Sequence, residues 1–183
     1  MIKNKEELRE YLEADRIALR MNRKHPPFFG REIWKFQISL RHYEYWLNAG
    51  HGLAGKAAKA FWKLVNHHYS MKLGFYVPPN VCGKGLNIHH WGCIVINPKA
   101  RIGENCNIQQ CVNIGQNYSE DQVPTIGNNV YIGPGAKLFG KIYIADGCAI
   151  GAGAVVNKSF NTPNMAIAGV PAKEIGERKE GLY

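Results

Sequence analysis

An aliphatic residue returns every six positions between Ile96 and Val156. The residues that keep this spacing are Ile96, Ile102, Ile108, Ile114, Ile126, Ile132, Leu138, Ile144, Ile150 and Val156. The slot they skip holds Glu120, whose charge is costly to bury unpaired, so we expect the residues around it to form a loop. Helices and ordinary hairpins repeat at about 3.6 and 2 residues and do not explain this period. A fixed hexad is typical of a parallel β-helix, in which each short strand stacks on its equivalent one coil further on.

Two further columns share the period. Two positions before each aliphatic residue stands a small or apolar one: Ile94, Ala100, Cys106, Val112, Pro124, Val130, Ala136, Ile142, Cys148 and Ala154. Glycine follows the aliphatic residue at 103, 115, 127, 133 and 151. Because glycine lacks a Cβ, we expect these positions to form the corners between strands.

The sequence from 1 to 74 predicts an α-helical N-terminal segment. Asn4 is expected to cap a helix that runs to about Asn22, with Glu7 as its reciprocal partner. A second helix is predicted from about Glu32 to Leu47 and a third from about Ala54 to Met71. The second helix is so rich in aromatic residues that we expect it to be buried against other helices or another subunit.

The sequence therefore divides into a helical segment 1–74, a β-helix 75–175 with an extruded loop 116–124, and a tail 176–183. No apolar run is long enough to span a bilayer, and the opening MIKNK is too charged for a signal peptide, so we expect no transmembrane segment and a cytoplasmic location. The five cysteines form no C-x-x-C pair, and two lie in the small column, so we interpret them as reduced packing residues.

The net charge of +9 lies mainly in the helical segment. Residues 1–72 hold 14 Lys and Arg against 7 acids, whereas residues 73–183 hold 9 against 7. A basic arm can meet nucleic acid, an anionic membrane or a phosphorylated substrate. Because acidic residues such as Glu6 and Glu10 interrupt the basic ones, the sequence favours a solvated helical face, and we expect no nucleic-acid partner.

The first coil is irregular, because Ile88 and Ile94 are out of phase with Ile96 by two positions. It carries His89 and His90, which point to opposite faces if the segment is extended. Either could serve as a general base near neutral pH, or be a surface histidine bonded to backbone. The sequence from 91 onward contains no third histidine that could complete a zinc site, so we expect no metal.

The stretch 83–173 resembles the hexapeptide-repeat acyltransferases, and most closely the serine O-acetyltransferase branch with its polysaccharide-associated relatives. The resemblance rests on GLNIHHWG at 85–92, NPKARIG at 97–103, PTIGNNVYIG at 124–133 and AGVPAK at 168–173. It implies a mainly β fold: a left-handed parallel β-helix of three hexads per coil with an α-helical N-terminal segment. It also implies a homotrimer, alone or as one half of a dimer of trimers, with acetyl-CoA between neighbouring subunits and no acyl-enzyme intermediate.

By the same resemblance, His90 is the catalytic base. His89, Trp91 and Gln110 are expected to contact the acceptor. The acetyl-CoA contacts are expected at Gly115, Ala136, Ala154, Lys158, Gly169, Pro171 and Lys173.

The chain departs from serine acetyltransferases where those enzymes hold serine. Phe75 stands where they have the Asp that orients the base, His89 where they have an acid, and Val123 where they have a further histidine. We therefore expect acetyl transfer to a sugar hydroxyl of a surface-glycan precursor. The alternatives are L-serine as the acceptor, and a non-catalytic trimeric scaffold.

Overall fold

The computed structural model describes residues 1–179. The helical segment contains α1 (Lys5–Ala18), α2 (Glu32–Ala49) and α3 (Gly52–Leu73). The Asn4 side chain caps α1 as predicted, accepting from Glu7 N at 2.8 Å, but the Glu7 carboxylate accepts from Lys3 N rather than from Asn4. α1 ends before the predicted Asn22, because Arg20 adopts a left-handed conformation with φ of 56°. α2 extends slightly beyond its predicted end, and α3 extends beyond both of its predicted ends.

Fourteen short strands follow, and most of them build a parallel solenoid. They are β1 (Phe75–Tyr76), β2 (Asn87–Ile88), β3 (Ile94–Ile96), β4 (Arg101–Ile102), β5 (Asn107–Ile108), β6 (Asn113–Gly115), β7 (Thr125–Ile126), β8 (Tyr131–Ile132), β9 (Lys137–Phe139), β10 (Tyr143–Ile144), β11 (Ala149–Ile150), β12 (Val155–Val156), β13 (Met165–Gly169) and β14 (Ala172–Glu177). The structure confirms the predicted β-helix with a helical N-terminal segment. Of the predicted tail 176–183, residues 180–183 lie outside the described residues.

The strands form three faces. The five-stranded face has the order β1-β3-β6-β9-β12, the three-stranded face β10-β7-β4, and the six-stranded face β14-β13-β11-β8-β5-β2. The ten aliphatic residues of the hexad are at most 5% exposed, and the small column is also buried, so both columns form the core as predicted. Burial of each large aliphatic side chain contributes about 1.5–3 kcal/mol, which makes this stack the main source of stability.

Coil length varies at two places. Ile132 pairs with Ile150, which defines the regular coil of three hexads. Ile114 pairs with Leu138, a coil that is longer by one hexad because the segment around Glu120 leaves the solenoid as predicted. Ile88 pairs with Ile108, which is two positions beyond the partner that a regular coil would give. The two additional positions of this first coil fall between β2 and β3, where His89 and His90 lie.

Glycine is needed after the aliphatic residues because main-chain atoms of the next coil lie close to it, and not because its backbone adopts a conformation that other residues avoid. None of the five has a positive φ. A Cβ on Gly103 would lie 2.6 Å from the carbonyl oxygen of Gly127 in the next coil, and one on Gly133 would lie 2.7 Å from that of Ile150. The left-handed residues stand two positions later in the same corners, for example Asn105 and Asn129.

Replacing Gly103 by alanine is therefore expected to lower the free energy of unfolding by about 1–3 kcal/mol, because main-chain atoms of the next coil must shift. Gly115→Ala is a matched control, since the nearest atom to its new Cβ is the Asn113 Oδ1 at 3.1 Å. Urea denaturation followed by circular dichroism measures both. Equal stability of the two variants would contradict the close-approach explanation.

A buried ionic network joins the helical segment to the first coil. The guanidinium of Arg41 in α2 donates to both carboxylate oxygens of Asp15, at 2.8 and 3.3 Å, and to Glu44 Oε2 at 3.0 Å. It also donates to the carbonyl oxygens of Cys82 at 2.9 Å and Gly83 at 2.6 Å. All five N–H groups are thus used. Burial opposes the charge of Arg41, but the two carboxylates prevail and raise its pKa above the ordinary value.

The same carboxylates also bind main chain of the first coil. Asp15 Oδ1 accepts from Leu86 N at 2.9 Å, and Glu44 Oε1 accepts from Asn80 N at 2.7 Å. The aromatic-rich helix α2 is buried as predicted, but the side of it that faces the first coil is partly polar.

Within residues 1–179, none of the helices has the length and hydrophobicity of a membrane span.

Candidate active site

The two additional positions of the first coil form a protruding corner at 89–93, between β2 and β3. The corner is supported from both sides. Gly92 N donates to the carbonyl oxygen of Leu73 at the end of α3, at 3.0 Å. On the other side, Gln110 of the next coil lies so close that a Cβ on Gly92 would be 3.3 Å from the Gln110 Cβ. The predicted acceptor residue Gln110 is thereby brought to the corner that carries His90.

The two histidines differ in exposure, and their ring centroids are 6.1 Å apart. His90 is exposed, and within residues 1–179 no side chain makes a hydrogen bond to its ring. His89 is half-buried, and its Nε2 accepts from Asn87 Nδ2 at 3.3 Å. Burial lowers the pKa of His89, and the nearby His90 and Arg20 lower it further. His89 is therefore suited to be a neutral hydrogen-bonding group, whereas the accessible imidazole is that of His90.

A groove of about 480 Å³ lies beside His89, between the end of α1 and the outer side of the six-stranded face. Its described lining includes two arginines, Arg20 and Arg178, and no carboxylate. Arg178 is positioned by the carbonyl oxygens of Asn129 and Gly147, at 2.7 and 3.1 Å. Two cationic side chains are thus part of the groove's described lining.

Two amides of the groove are incompletely hydrogen-bonded. Asn87 and Asn107 are paired across neighbouring strands. Within the described residues, Asn87 Oδ1 and Asn107 Nδ2 are buried without a partner. A hydroxyl group both donates and accepts, so one ligand hydroxyl or water could satisfy both atoms after a small movement of the side chains. The sequence analysis did not predict this groove. The only sequence signal for it is that Asn87 and Asn107 stand one irregular coil apart.

A second cavity of about 290 Å³ also has His89 in its lining. It is lined by Trp34 and Trp91, among others, so His89 forms a wall between the two cavities. Trp91 is 75% exposed, which leaves its indole available to a ligand. The three residues predicted to contact the acceptor thus lie around one corner.

The residues predicted to contact acetyl-CoA divide between two corners of the solenoid. Ala136, Ala154 and the turn 169–171 lie between the six-stranded and five-stranded faces, whereas Gly115 and Lys158 lie at the opposite edge of the five-stranded face. Ala136 and Ala154 are fully buried, so their side chains belong to the core. In the turns that precede these alanines, Pro134 is partly exposed and Ala152 is exposed.

The two candidate lysines also differ. Lys158 Nζ lies 5.3 Å from the centroid of the Phe160 ring, a cation–π contact. Lys173 is exposed in β14, beyond the exposed Gly169 and Pro171. Both lysines can be reached by an anionic ligand at the surface.

No carboxylate orients His90 within the described residues. Phe75, at the position where the family's Asp is expected, is buried with its ring centroid 5.2 Å from that of Phe36. Val123 is half-buried in the extruded loop, which Lys99 holds through Glu120 at 3.0 Å and Asp121 at 3.1 Å. Among residues 1–179, no group of three His, Cys, Asp or Glu side chains converges on a position for a metal ion.

Comparison with known proteins gives the same architecture. Residues 124–158 match the model of the bacterial transferase hexapeptide family (six repeats). The chain is 34% identical over 116 residues to the serine acetyltransferase of Synechococcus elongatus, a match that covers 62% of this chain and 47% of that protein. The serine acetyltransferase of Mycobacterium tuberculosis is 33% identical over 149 residues, a match that covers 79% of this chain and 59% of that protein.

Solved structures agree. The Brucella abortus serine acetyltransferase in complex with coenzyme A superposes with a TM-score of 0.72 and 26% identity, covering 96% of this chain and 70% of that one. These matches confirm the left-handed parallel β-helix, and the chain belongs to the hexapeptide-repeat acyltransferase family. Within the family it is similar to the serine O-acetyltransferases. The chain spans about half the length of the curated relatives it matches.

Proposed function

We propose that the protein is an acetyl-CoA-dependent O-acetyltransferase with His90 as its general base. The observation that carries the proposal is an exposed imidazole on the corner where the first coil is two positions longer than a regular coil. The similarity to serine acetyltransferases, including one bound to coenzyme A, supports acetyl-CoA as the donor.

In the proposed reaction, His90 takes the proton of the acceptor hydroxyl as that oxygen attacks the thioester carbonyl. The tetrahedral intermediate then collapses, the C–S bond breaks, and the imidazolium of His90 returns its proton to the leaving thiolate. Main-chain N–H groups at the same corner would stabilise the oxyanion. No acyl-enzyme forms, and the products are the acetyl ester and free CoA.

The division of the predicted donor contacts between two corners favours a donor that lies between subunits. One subunit would contribute the corner at Pro134 and Ala152 with the turn 169–171, and its neighbour would contribute the edge at Gly115 and Lys158. We therefore propose a homotrimer. The backbone at the first corner would carry the pantetheine arm, and Lys158 or Lys173 would meet phosphate. Whether two trimers join through the helical segment stays a prediction, as does the cytoplasmic location.

For the acceptor, the relatives favour L-serine over the sugar preferred from the sequence, because the matched proteins are named serine acetyltransferases. Arg20, in the lining of the 480 Å³ groove, suits the carboxylate of an amino acid. A sugar hydroxyl is the second candidate. It is favoured by Phe75, Val123 and His89, which replace the groups expected to hold serine.

An acceptor screen with acetyl-CoA tests these proposals, with release of the CoA thiol as the measured signal. We expect turnover of L-serine, and Arg20→Gln to raise KM for L-serine about tenfold while KM for acetyl-CoA is unchanged, since one charge contact is lost. Arg9→Gln, an exposed arginine elsewhere on α1, is the matched control. Turnover of neutral or nucleotide sugars without serine would favour the second candidate. Absence of CoA binding would favour a non-catalytic scaffold.

A further inference from the structure

The helix α3 has an unusual charge for a helix that lies on a protein surface. It contains four lysines and no Asp or Glu. The lysines are Lys56, Lys59, Lys63 and Lys72. Only Lys72 has an ion pair within the described residues, with Glu32 at 3.3 Å. α3 is thus a strongly cationic element, and its charge is not neutralised by its own neighbours.

The outer side of α3 carries a row of four apolar residues, interrupted towards the C-terminal end by the exposed His67 and His68. Leu53, Ala60, Leu64 and Met71 stand at positions i, i+7, i+11 and i+18, which places them on one side of the helix. Leu53 is 86% exposed, Leu64 68% and Met71 72%. We call these four residues the α3 stripe. Helical geometry places Lys56 and Lys63 along one border of the stripe and Phe61 and Lys72 along the other.

A second exposed apolar feature lies near the C-terminal end of the α3 stripe. Phe28 and Phe29, between α1 and α2, are 86% and 84% exposed, and their rings pack edge to face at 4.8 Å. The Lys35 side chain holds this turn by donating to the Phe28 carbonyl oxygen at 2.6 Å. The Glu32–Lys72 ion pair brings the start of α2 to the end of α3, beside Met71. The sequence on either side of the two phenylalanines contains three cationic residues, Arg23, Lys24 and Arg31.

An apolar stripe bordered by lysines is the arrangement of helices that lie in the membrane interface, with apolar side chains among the acyl chains and cations at the headgroups. Nucleic acid would use the lysines but would leave the stripe in water. A second α3 would cover the stripe but would bring lysines together with no carboxylate to pair them. An anionic lipid surface satisfies both the charge and the apolar side chains.

We propose that the α3 stripe, together with Phe28 and Phe29, binds the surface of an anionic membrane. The helix lies in the plane of the interface, and the two phenylalanines insert beside its C-terminal end. The lysines and arginines add attraction to the anionic headgroups that falls as salt rises. The proposal does not depend on the acetyltransferase reaction, because it rests on the charge and exposure of the helical segment alone.

Sedimentation with lipid vesicles tests the proposal on the full chain. We expect binding to vesicles of phosphatidylcholine mixed with phosphatidylglycerol, little binding to phosphatidylcholine alone, and weaker binding at about 0.5 M than at about 0.1 M NaCl. The double variant Lys56→Glu/Lys63→Glu should lower the partition coefficient at least about tenfold, as should Leu64→Gln/Met71→Gln. All four residues are exposed, so the fold should be retained.

Two matched controls separate the stripe from general surface properties. Lys141→Glu changes an exposed lysine of the solenoid, and Ile175→Gln changes an exposed apolar residue of β14; neither should alter vesicle binding. Binding that is equal for neutral and anionic vesicles, or unchanged in both double variants, would overturn the proposal. So would a loss of oligomer mass in Leu64→Gln/Met71→Gln with vesicle binding unchanged, because a second copy would then cover the stripe. Tight binding of duplex DNA without vesicle binding would overturn it in favour of nucleic acid.

Discussion

Replacing His90 by alanine should lower the rate of acetyl transfer by about 10²–10⁴-fold, the usual contribution of a general base. The reason is that His90 is the accessible imidazole of the corner, whereas the neighbouring His89 is half-buried and bonded to Asn87. Affinity for CoA should be nearly unchanged, since no donor contact is removed. The measurement is kcat from thiol release, with CoA binding followed by calorimetry.

His67→Ala is the matched control, because it removes an exposed imidazole from α3. It should keep full activity in solution. A His90→Ala variant that retained more than half of the wild-type rate would rule out this histidine as the base. Loss of both activity and CoA binding would instead show that the corner had rearranged, and a His90→Asn variant would then decide the chemical role.

Replacing Arg41 by methionine should lower the free energy of unfolding by about 3–5 kcal/mol, which is typical when one partner of a buried ion pair is removed. Asp15 and Glu44 would remain buried without their cation, and two carbonyl groups of the first coil would lose their donor. Urea denaturation at pH 7 measures the loss. Part of it should be recovered at pH 5, because burial raises the pKa of the Glu44 carboxyl and the variant removes the arginine that lowers it, so protonation removes a buried charge.

Lys84→Met is the control for this variant, since both side chains of the Lys84–Glu10 pair are more than a third exposed and such a pair contributes little. The triple variant Asp15→Leu/Arg41→Met/Glu44→Leu should be more stable than Arg41→Met alone, as apolar replacements of complete buried networks often are. If Arg41→Met were as stable as the wild type, the network would not be what joins the helical segment to the first coil.

The regular part of the fold was predictable because it repeats. One column of aliphatic residues and one of small residues both proved buried, and the predicted break around Glu120 appears as a coil that is one hexad longer than the others. The phase shift at Ile88 also indicated the irregular first coil correctly. Each of these features depends only on local spacing, since every strand stacks on a neighbour that obeys the same rule.

The helical segment and the site were less predictable, because they depend on contacts between distant residues. Arg41 looks like any exposed arginine of an aromatic-rich helix, and only its approach to Asp15 and to the carbonyl oxygens of the first coil reveals its role. Ala136 and Ala154 place their side chains in the core, so the donor contact expected at them would be made by backbone and stays a prediction. The arginines of the groove come from opposite ends of the chain, so no spacing could connect them.

The ends of the solenoid determine how copies of the protein can associate. At the first coil, Phe36 of α2 packs on Phe75 of β1, so a helix occupies the place where a further coil would stack. At the last coil, β14 pairs with β13 in the antiparallel direction, which breaks the parallel register that another coil would need. End-to-end growth by strand pairing, the characteristic hazard of exposed strand edges, is therefore hindered at both of these places. A cyclic assembly such as the proposed homotrimer would instead join solenoids side by side and close on itself, which leaves no growing end.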